Sequence, residues 1–345
     1  DYTPPDASKL AITGVLDSVG NVTGNVLSGG VTDDSRPVIS GTGTAGDTIT
    51  VYAKDSTDNH RIGTATVDAT GHWTMQPATA LVSGLNDLTA VESDPAGNAT
   101  APSAKYSIML DSSAPSHLAT ITAISDDTGV SDHDFITQDR TLLISGTVDS
   151  VLQSGEKVQF SADGGVTWKD ATLSEDRLRW SYDNTAISLI DGKYIFESRV
   201  LSEAGIAGAA SSQSVIIDNS QPTNKVTFAL DPASDNGVSN TDNITSIMTP
   251  TINGTVQAGS HKFEDLTVTL FWDKNGNNQI DPGEDIYGQG IKVNSDGTWS
   301  ADLWSLHEGD YLLKAVVTTA SGVTASPSYV GSLDGKNDIL TITKD

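Results

Sequence analysis

Along the whole chain, apolar and polar residues alternate in short runs and then stop. Thr48-Ile-Thr-Val-Tyr52, Thr267-Val-Thr-Leu-Phe-Trp272 and Tyr311-Leu-Leu-Lys-Ala-Val-Val317 show the pattern, with Gly, Asp, Asn or Pro between such runs. A period of two with turn residues at the ends marks half-buried β-strands. No segment sustains the 3.6-residue apolar period of a helix, so the pattern predicts an all-β protein.

The runs recur as a set. Asp-x-x-x-Pro stands at Asp1–Pro5, Asp111–Pro115 and Asp218–Pro222, so the marks lie 110 and 107 residues apart. Ile39-Ser-Gly-Thr returns as Ile144-Ser-Gly-Thr and Ile252-Asn-Gly-Thr, assigned here to strand B. Trp73, Trp180 and Trp299 follow turn residues and are assigned to strand E as core anchors. Ser93-Asp-Pro-Ala-Gly-Asn98, Ser202-Glu-Ala-Gly-Ile206 and Ala320-Ser-Gly-Val323 mark the turn between strands F and G. About seven strands per period is an immunoglobulin-like count, and a fixed period marks a tandem array. The expectation is three tandem immunoglobulin-like β-sandwiches at 1–110, 111–217 and 218–334. Residues 335–345 are then a C-terminal stub or the start of a next domain. Sandwiches of roughly 35–40 Å each would make an elongated rod of about 110–120 Å.

Charge changes the picture. The 345 residues carry 45 acidic against 19 basic side chains, a formal net charge of −26. Nucleic acid and anionic membranes would be repelled, and like charges along a rod call for neutralisation by a cation. Cysteine is absent, so no disulfide holds the sandwiches. In an extracellular setting calcium is the obvious substitute. No apolar run is long enough to span a bilayer, residue 1 does not open a signal peptide, and the chain reads as an excerpt of a longer one.

The most specific chemistry lies in an insertion. Strand B shifts by 108 residues from Ile144 to Ile252, whereas Trp180 to Trp299 spans 119, so repeat three gains about eleven residues between them. There the chain reads Asp273-Lys-Asn-Gly-Asn-Asn-Gln-Ile-Asp-Pro-Gly-Glu284. Asp273, Asn275, Asn277, Asp281 and Glu284 occupy positions 1, 3, 5, 9 and 12 of an EF-type calcium loop, with the Gln279 carbonyl at position 7. Asn278 replaces the usual glycine at position 6, and strands replace the flanking helices. The bland alternative is a polar turn excursion.

A second acidic set lies between strands A and B: Asp126, Asp127 and Asp134 in repeat two, Asp235 and Asp242 in repeat three. Gly29 takes the place of Asp134 in repeat one, which offers Asp17, Asp33 and Asp34 instead. These acids are expected to converge on the aspartate that ends each strand G, namely Asp111, Asp218 and Asp334. Asp55 or Asp58 would assist at the first joint. From the following repeat, Glu203 and Asp176 would approach Asp111, and Asp296 would approach Asp218. Carboxylates meeting there would repel unless a cation sat among them; the plainer alternative is that each forms an Asx-turn.

Catalytic signals are missing. The six histidines show no zinc spacing, and no nucleophile elbow or phosphate loop occurs. Ser161-Ala-Asp-Gly-Gly-Val-Thr-Trp168 fits the Asp-box of sialidase propellers, where it is a structural turn, and one copy predicts only a tight turn.

The Asp-x-x-x-Pro linkers, Asp126-Asp-Thr-Gly129, Ile-Ser-Gly-Thr, Asp-x-x-Gly-x-Trp and Asp94-Pro-Ala-Gly-Asn98 together resemble bacterial Ig-like (BIg) repeats. Such repeats build giant non-fimbrial adhesins of the SiiE type, exported by type I secretion. The resemblance covers nearly the whole chain. It implies a secreted, cell-surface rod, monomeric in this segment and not an enzyme, stiffened by Ca²⁺ at its joints. The rod would hold a distal binding region toward host cells, with host glycans as the partner of the parent protein and virulence as its setting. The family's calcium aspartates would map onto Asp111, Asp126, Asp127, Asp134, Asp218, Asp235 and Asp242. An alternative from another class is a lectin-like module, in which the repeat-three loop contacts a glycan beside Trp304 or Tyr287.

Overall fold

In a computed structural model, the described residues are 3–56, 58–304, 306–334 and 338–344. Asp1, the first of the linker aspartates, lies outside them. Among the described residues the only helical segments are 3₁₀ turns at Ala7–Lys9, Phe263–Asp265 and Pro327–Tyr329; everything else regular is strand.

Repeats one and two each pack two sheets face to face, and in repeat three the second layer is split into a three-stranded and a four-stranded sheet. In repeat one, strands A (Ala11–Asp17), B (Val38–Thr42) and E (His72–Met75) form one sheet, joined at the edge by Gly24–Val26. The other runs in the order A′ (Val31–Thr32), G (Tyr106–Leu110), F (Gly84–Ser93), C (Thr48–Lys54), C′ (Asn59–Thr66). Repeat two matches it, with A at Ala119–Ile124, A′ at Ile136–Thr137, B at Leu143–Val148 and C at Lys157–Ser161. Its E, F and G are Arg179–Asp183, Gly192–Leu201 and Ala207–Ile217. In repeat three A is Val226–Leu230, A′ Ile244–Thr245, B Thr251–Val256, C Leu266–Trp272, C′ Ile286–Lys292 and E Thr298–Asp302. In all three, A′ pairs with G in parallel, carrying the chain from one sheet to the other at one end of the sandwich.

Three separate apolar cores follow, one per repeat, running from Leu10 to Leu110, Ala119 to Ile217 and Val226 to Ile342. Trp73, Trp180 and Trp299 are each only 2% exposed, which makes them core anchors. Their indoles explain the glycine of Ile-Ser-Gly-Thr. A Cβ at Gly146 would stand 2.4 Å from Trp180 and 2.1 Å from the Thr120 carbonyl, and Gly41 and Gly254 are crowded in the same way by Trp73 and Trp299.

Repeat three departs from the expected boundary. The described part of 335–345, expected as a stub or the start of a next domain, belongs to repeat three: Leu340–Ile342 pairs with A′ and with Gly309–Tyr311 of strand F, and Leu340 and Ile342 sit in the third core. Strand G starts at Gly331–Ser332, and Leu333 then crosses to bridge Phe228 of strand A. Among the described residues its pairing continues at Leu340–Ile342. The apolar Leu-x-Ile pair has a core to enter, and that draws the tail into the third repeat.

Gly146→Ala forces a methyl group into the Trp180 indole, and overpacking of this kind costs about 1–3 kcal/mol. Urea unfolding followed by tryptophan fluorescence is expected to show the repeat-two transition shifted down by that amount, with the other repeats unmoved.

Candidate metal centre and the inter-repeat joints

The inserted loop closes the hairpin between strands C and C′ of repeat three. Asp273 is 1% exposed and gathers backbone amides: Oδ1 accepts from Gly276 N at 2.7 Å and Asn277 N at 3.2 Å, and Oδ2 from Asn278 N at 2.8 Å. Asn278 reaches this bond in the left-handed region, at φ 60°, so the residue replacing glycine takes the conformation glycine would have taken. Asp281 Oδ2 receives the side-chain amides of both Asn275 and Asn277 at 2.7 Å. Positions 3, 5 and 9 therefore converge on one point. A carboxamide turned half a circle presents oxygen where it presented nitrogen, so the same side chains suit a hard cation. Glu284 folds back, accepting from Lys274 N at 2.9 Å and Asp281 N at 3.1 Å. Gln279 N donates to Asn277 Oδ1 at 2.8 Å. The donor set fits Ca²⁺.

At the joints, the main chain behaves as expected and the carboxylates only in part. Asp111 N and Asp218 N donate to Thr32 O and Thr137 O, extending the A′–G ladder by one rung. Each caps its own linker, accepting from the backbone and hydroxyl of Ser113 or Ser220. The other Asp218 oxygen faces forward into repeat three, 3.3 Å from both Ser321 Oγ and His261 Nε2. Serine and histidine of the next repeat meet it, so the A–B acids do not gather around it.

Those acids instead form matched pairs. Asp127 Oδ2 accepts from Phe135 N at 2.9 Å, and Asp134 Oδ1 from Ile136 N at 3.0 Å. In repeat three, Asp235 Oδ2 accepts from Asn243 N at 3.4 Å and Asp242 Oδ1 from Ile244 N at 3.2 Å. Asp126 contributes its carbonyl, to Thr137 Oγ1 at 2.5 Å. One oxygen each of Asp127 and Asp235 is buried with no hydrogen-bond partner, and so is one oxygen of Asp33 in repeat one. Burial pushes Asp134, Asp235 and Asp33 above the usual carboxylate range, with Asp127, Asp242 and Asp17 adding repulsion in turn. Asp17 and Asp34 are themselves 4% exposed, and both add repulsion at Asp33. Among the described residues, no group of three or more Asp, Glu or His side chains stands close enough to hold a metal ion by itself. A cation at these pairs would need backbone oxygens or water as well.

Asp334 does not end strand G. Its N–H donates to Phe228 O, its carbonyl accepts from Asn243 Nδ2, and Thr343 N makes the bond to Thr245 O that Asp111 and Asp218 make to Thr32 and Thr137. The interruption of strand G moved that position nine residues on, from 334 to 343. Glu203, Glu156 and Asp111 line one crevice of about 420 Å³ at the first joint. Asp176 and Asp296 instead cap their own turns, through Ser174 and Thr298. Asp55 accepts from Asp58 N and lies near His60. Glu156, His117 beside it at 3.5 Å, and His261 carry no repeating signal in the chain. Tyr287 is buried, its hydroxyl pushed up to about 12 by burial, and offers no stacking platform, whereas Trp304 is 59% exposed. Ser161–Trp168 is a self-bonded turn, with Asp163 accepting from Ser161 and Thr167.

Repeats also touch directly. Thr128 Oγ1 and Gln138 Nε2 both donate to Ser321 O at 2.9 Å, and Val130 N to Ala320 O at 3.1 Å. At the first joint Asn21 Nδ2 donates to Gly205 O at 3.2 Å, beside Val22.

Asp235 has its pKa raised, so the stability it contributes is present below the unfolded carboxylate value and lost as pH rises through the folded one. Asp235→Asn removes that charge without changing shape. In EGTA at pH 7 the variant is expected to melt higher than the parent and to lose part of the acid-side stabilisation; in Ca²⁺ it is expected to melt lower. Calorimetry against pH in both buffers checks both signs.

No curated protein matches the chain at a significant level. Among solved structures it is similar to a tetra-tandem repeat from the extending region of a large adhesion protein, at 21% identity over 88% of this chain and 73% of that one, TM-score 0.26. A segment of a 1.5-MDa bacterial ice-binding adhesin matches at 19% identity over 97% and 100%, TM-score 0.31. The Escherichia coli adhesin FdeC matches at 14% over 100% of both chains, TM-score 0.31. The profile of the bacterial Ig-like domain matches three times, at residues 10–112, 115–219 and 222–334. The chain belongs to the bacterial Ig-like domain family, as three consecutive copies.

Proposed function

We propose that this chain is a spacer segment of a large bacterial surface adhesin, a non-catalytic rod whose joints and repeat-three loop take Ca²⁺. The observation that carries the cation is the buried carboxylate oxygen without a partner at the A–A′ end of each repeat, on Asp33, Asp127 and Asp235. A buried anionic oxygen left bare is costly, and a divalent ion removes the cost. In the loop, Asp273, Asn275, Asn277, Asp281 and Glu284 with the Gln279 carbonyl would hold Ca²⁺ in a second kind of site. When bound, Ca²⁺ supplies charge neutralisation and fixed geometry, not chemistry on a substrate.

The surface location, export by type I secretion and presentation of a distal region to host cells follow from the family resemblance. A second reading, glycan binding by repeat three, draws on Trp304, exposed in the loop after strand E with its Nε1 bonded to Tyr287 O. A glycan array with the whole chain separates the two, since a pure spacer binds nothing.

Small-angle scattering and melting in Ca²⁺ and then EGTA test the main reading. The expected result is a long, narrow particle that becomes heterogeneous and melts lower on chelation; an unchanged profile and melt would remove the calcium mechanism. Trp272 directly precedes the loop, so bound Tb³⁺ is expected to luminesce through it. Asp273→Ala is expected to abolish that signal, and also to release three amides at a cost of about 1–3 kcal/mol.

A further inference from the structure

Strand C of repeat three is covered on both sides. In repeat one the strand alternates, with Ile49, Val51 and Ala53 buried and the residues between them partly open. In repeat three Val268, Thr269, Leu270 and Phe271 are buried in succession, Phe271 to 0% exposure. Successive side chains of a strand point to opposite faces, so an unbroken buried run means that something lies over the outer face too. On the neighbouring strand F, at Leu313–Thr319, Val316 stands opposite Thr269 and is buried in the same way.

The inserted loop is part of that cover. Ile280, between the ligand positions Gln279 and Asp281, stands with Pro327 and Val330 around a crevice of about 320 Å³ lined below by Phe271 and Val316. Gln221, the residue before Pro222 in the second linker, forms another part of the wall. Ile280 is 40% exposed, so it borders the crevice without filling it.

Cation binding bears on Ile280 through its two neighbours. Asn275 and Asn277 give their Nδ2 atoms to Asp281 Oδ2, each at 2.7 Å. To hold a hard cation both amides turn oxygen inward, and Asp281 and the Gln279 carbonyl turn to the same ion. With residues 279 and 281 drawn to one side, the side chain of Ile280 is directed to the other, toward the sheet face. There its apolar surface leaves water, which is favourable.

Resting on the loop's proposed Ca²⁺ site, we infer that the loop is a strap: loading seats Ile280 in the Phe271–Val316 crevice and holds Gln221 of the linker against repeat three. The ion thus acts, through one apolar side chain, on a segment outside its own coordination shell.

A chain without cysteine lets one introduced thiol report on the crevice. Ser326→Cys and Gln221→Cys place it on two of the crevice walls, and Lys169→Cys in repeat two is the control. Each chain is alkylated by a maleimide in Ca²⁺ and in EGTA, while Tb³⁺ luminescence through Trp272 reports loading of the loop separately. Both crevice thiols are expected to react at least about fivefold slower in Ca²⁺, as burial of part of an isoleucine side chain predicts, with Lys169→Cys unchanged. Ile280→Ser is expected to keep the luminescence and lose the slowing, and Ile280→Val to keep both. Neither substitution touches the joint aspartates, so Ca²⁺ held there does not mimic the result. A loop that loads with no slowing, or with the same slowing in Ile280→Ser, overturns the strap and leaves the calcium site standing. No luminescence overturns the site and the strap together.

Discussion

The parallel pairing of A′ with G is the contact on which the rest of the structure depends. It forces the chain to cross between sheets at the end where strand G hands over to the next repeat, and so delivers the A–A′ loop to the joint. The same ladder takes one further rung from Asp111 or Asp218, so each linker leaves its repeat in a fixed direction. The F–G turn, at the opposite end of the sandwich, is then the first part of the following repeat that the loop can meet. Geometry of the sandwich places both partners, and hydrogen bonds of 2.9–3.2 Å to turn carbonyls hold them.

Electrostatics work against this arrangement unless it is compensated. A chain with net charge −26 places buried carboxylates where its repeats meet, and several are pushed toward protonation by burial and by each other. Other aspartates are held the opposite way by turn hydroxyls and amides, as Asp163, lowered to about 2, illustrates. The two populations separate structural turn residues from groups that need a counter-charge. The plain Asx-turn reading describes Asp176, Asp183 and Asp296 well; it does not describe Asp127 or Asp235, which keep an oxygen bare.

Repeat three shows how one change in a strand moves a site. Its strand A runs without the bulge seen in the first two repeats, its Trp299 Nε1 has no partner, and its strand G breaks at Leu333 to reach Phe228. As a result Asp334, which looks in the chain like the counterpart of Asp111 and Asp218, stands beside strand A, and Thr343 takes the place at the ladder's end.

Much of this was legible before folding was considered, because local rules act within a few residues. Alternation declares strands, Ile-Ser-Gly-Thr and the tryptophans recur because one indole must lie over one glycine, and ligand spacing in Asp273–Glu284 is set by the loop's own backbone. The chain by itself therefore determined the class, the number of repeats, the turns and the candidate calcium loop. What only tertiary structure decided is which groups meet across distance. The orientation of Asp218 toward Ser321 and His261, the nearness of Glu156 to Asp111, the burial of Tyr287 and the capture of Leu340 and Ile342 by the third core all depend on packing between segments far apart in the chain. No spacing rule reports such contacts, since a side chain's partners are set by the sheet it lands on and by the repeat it faces.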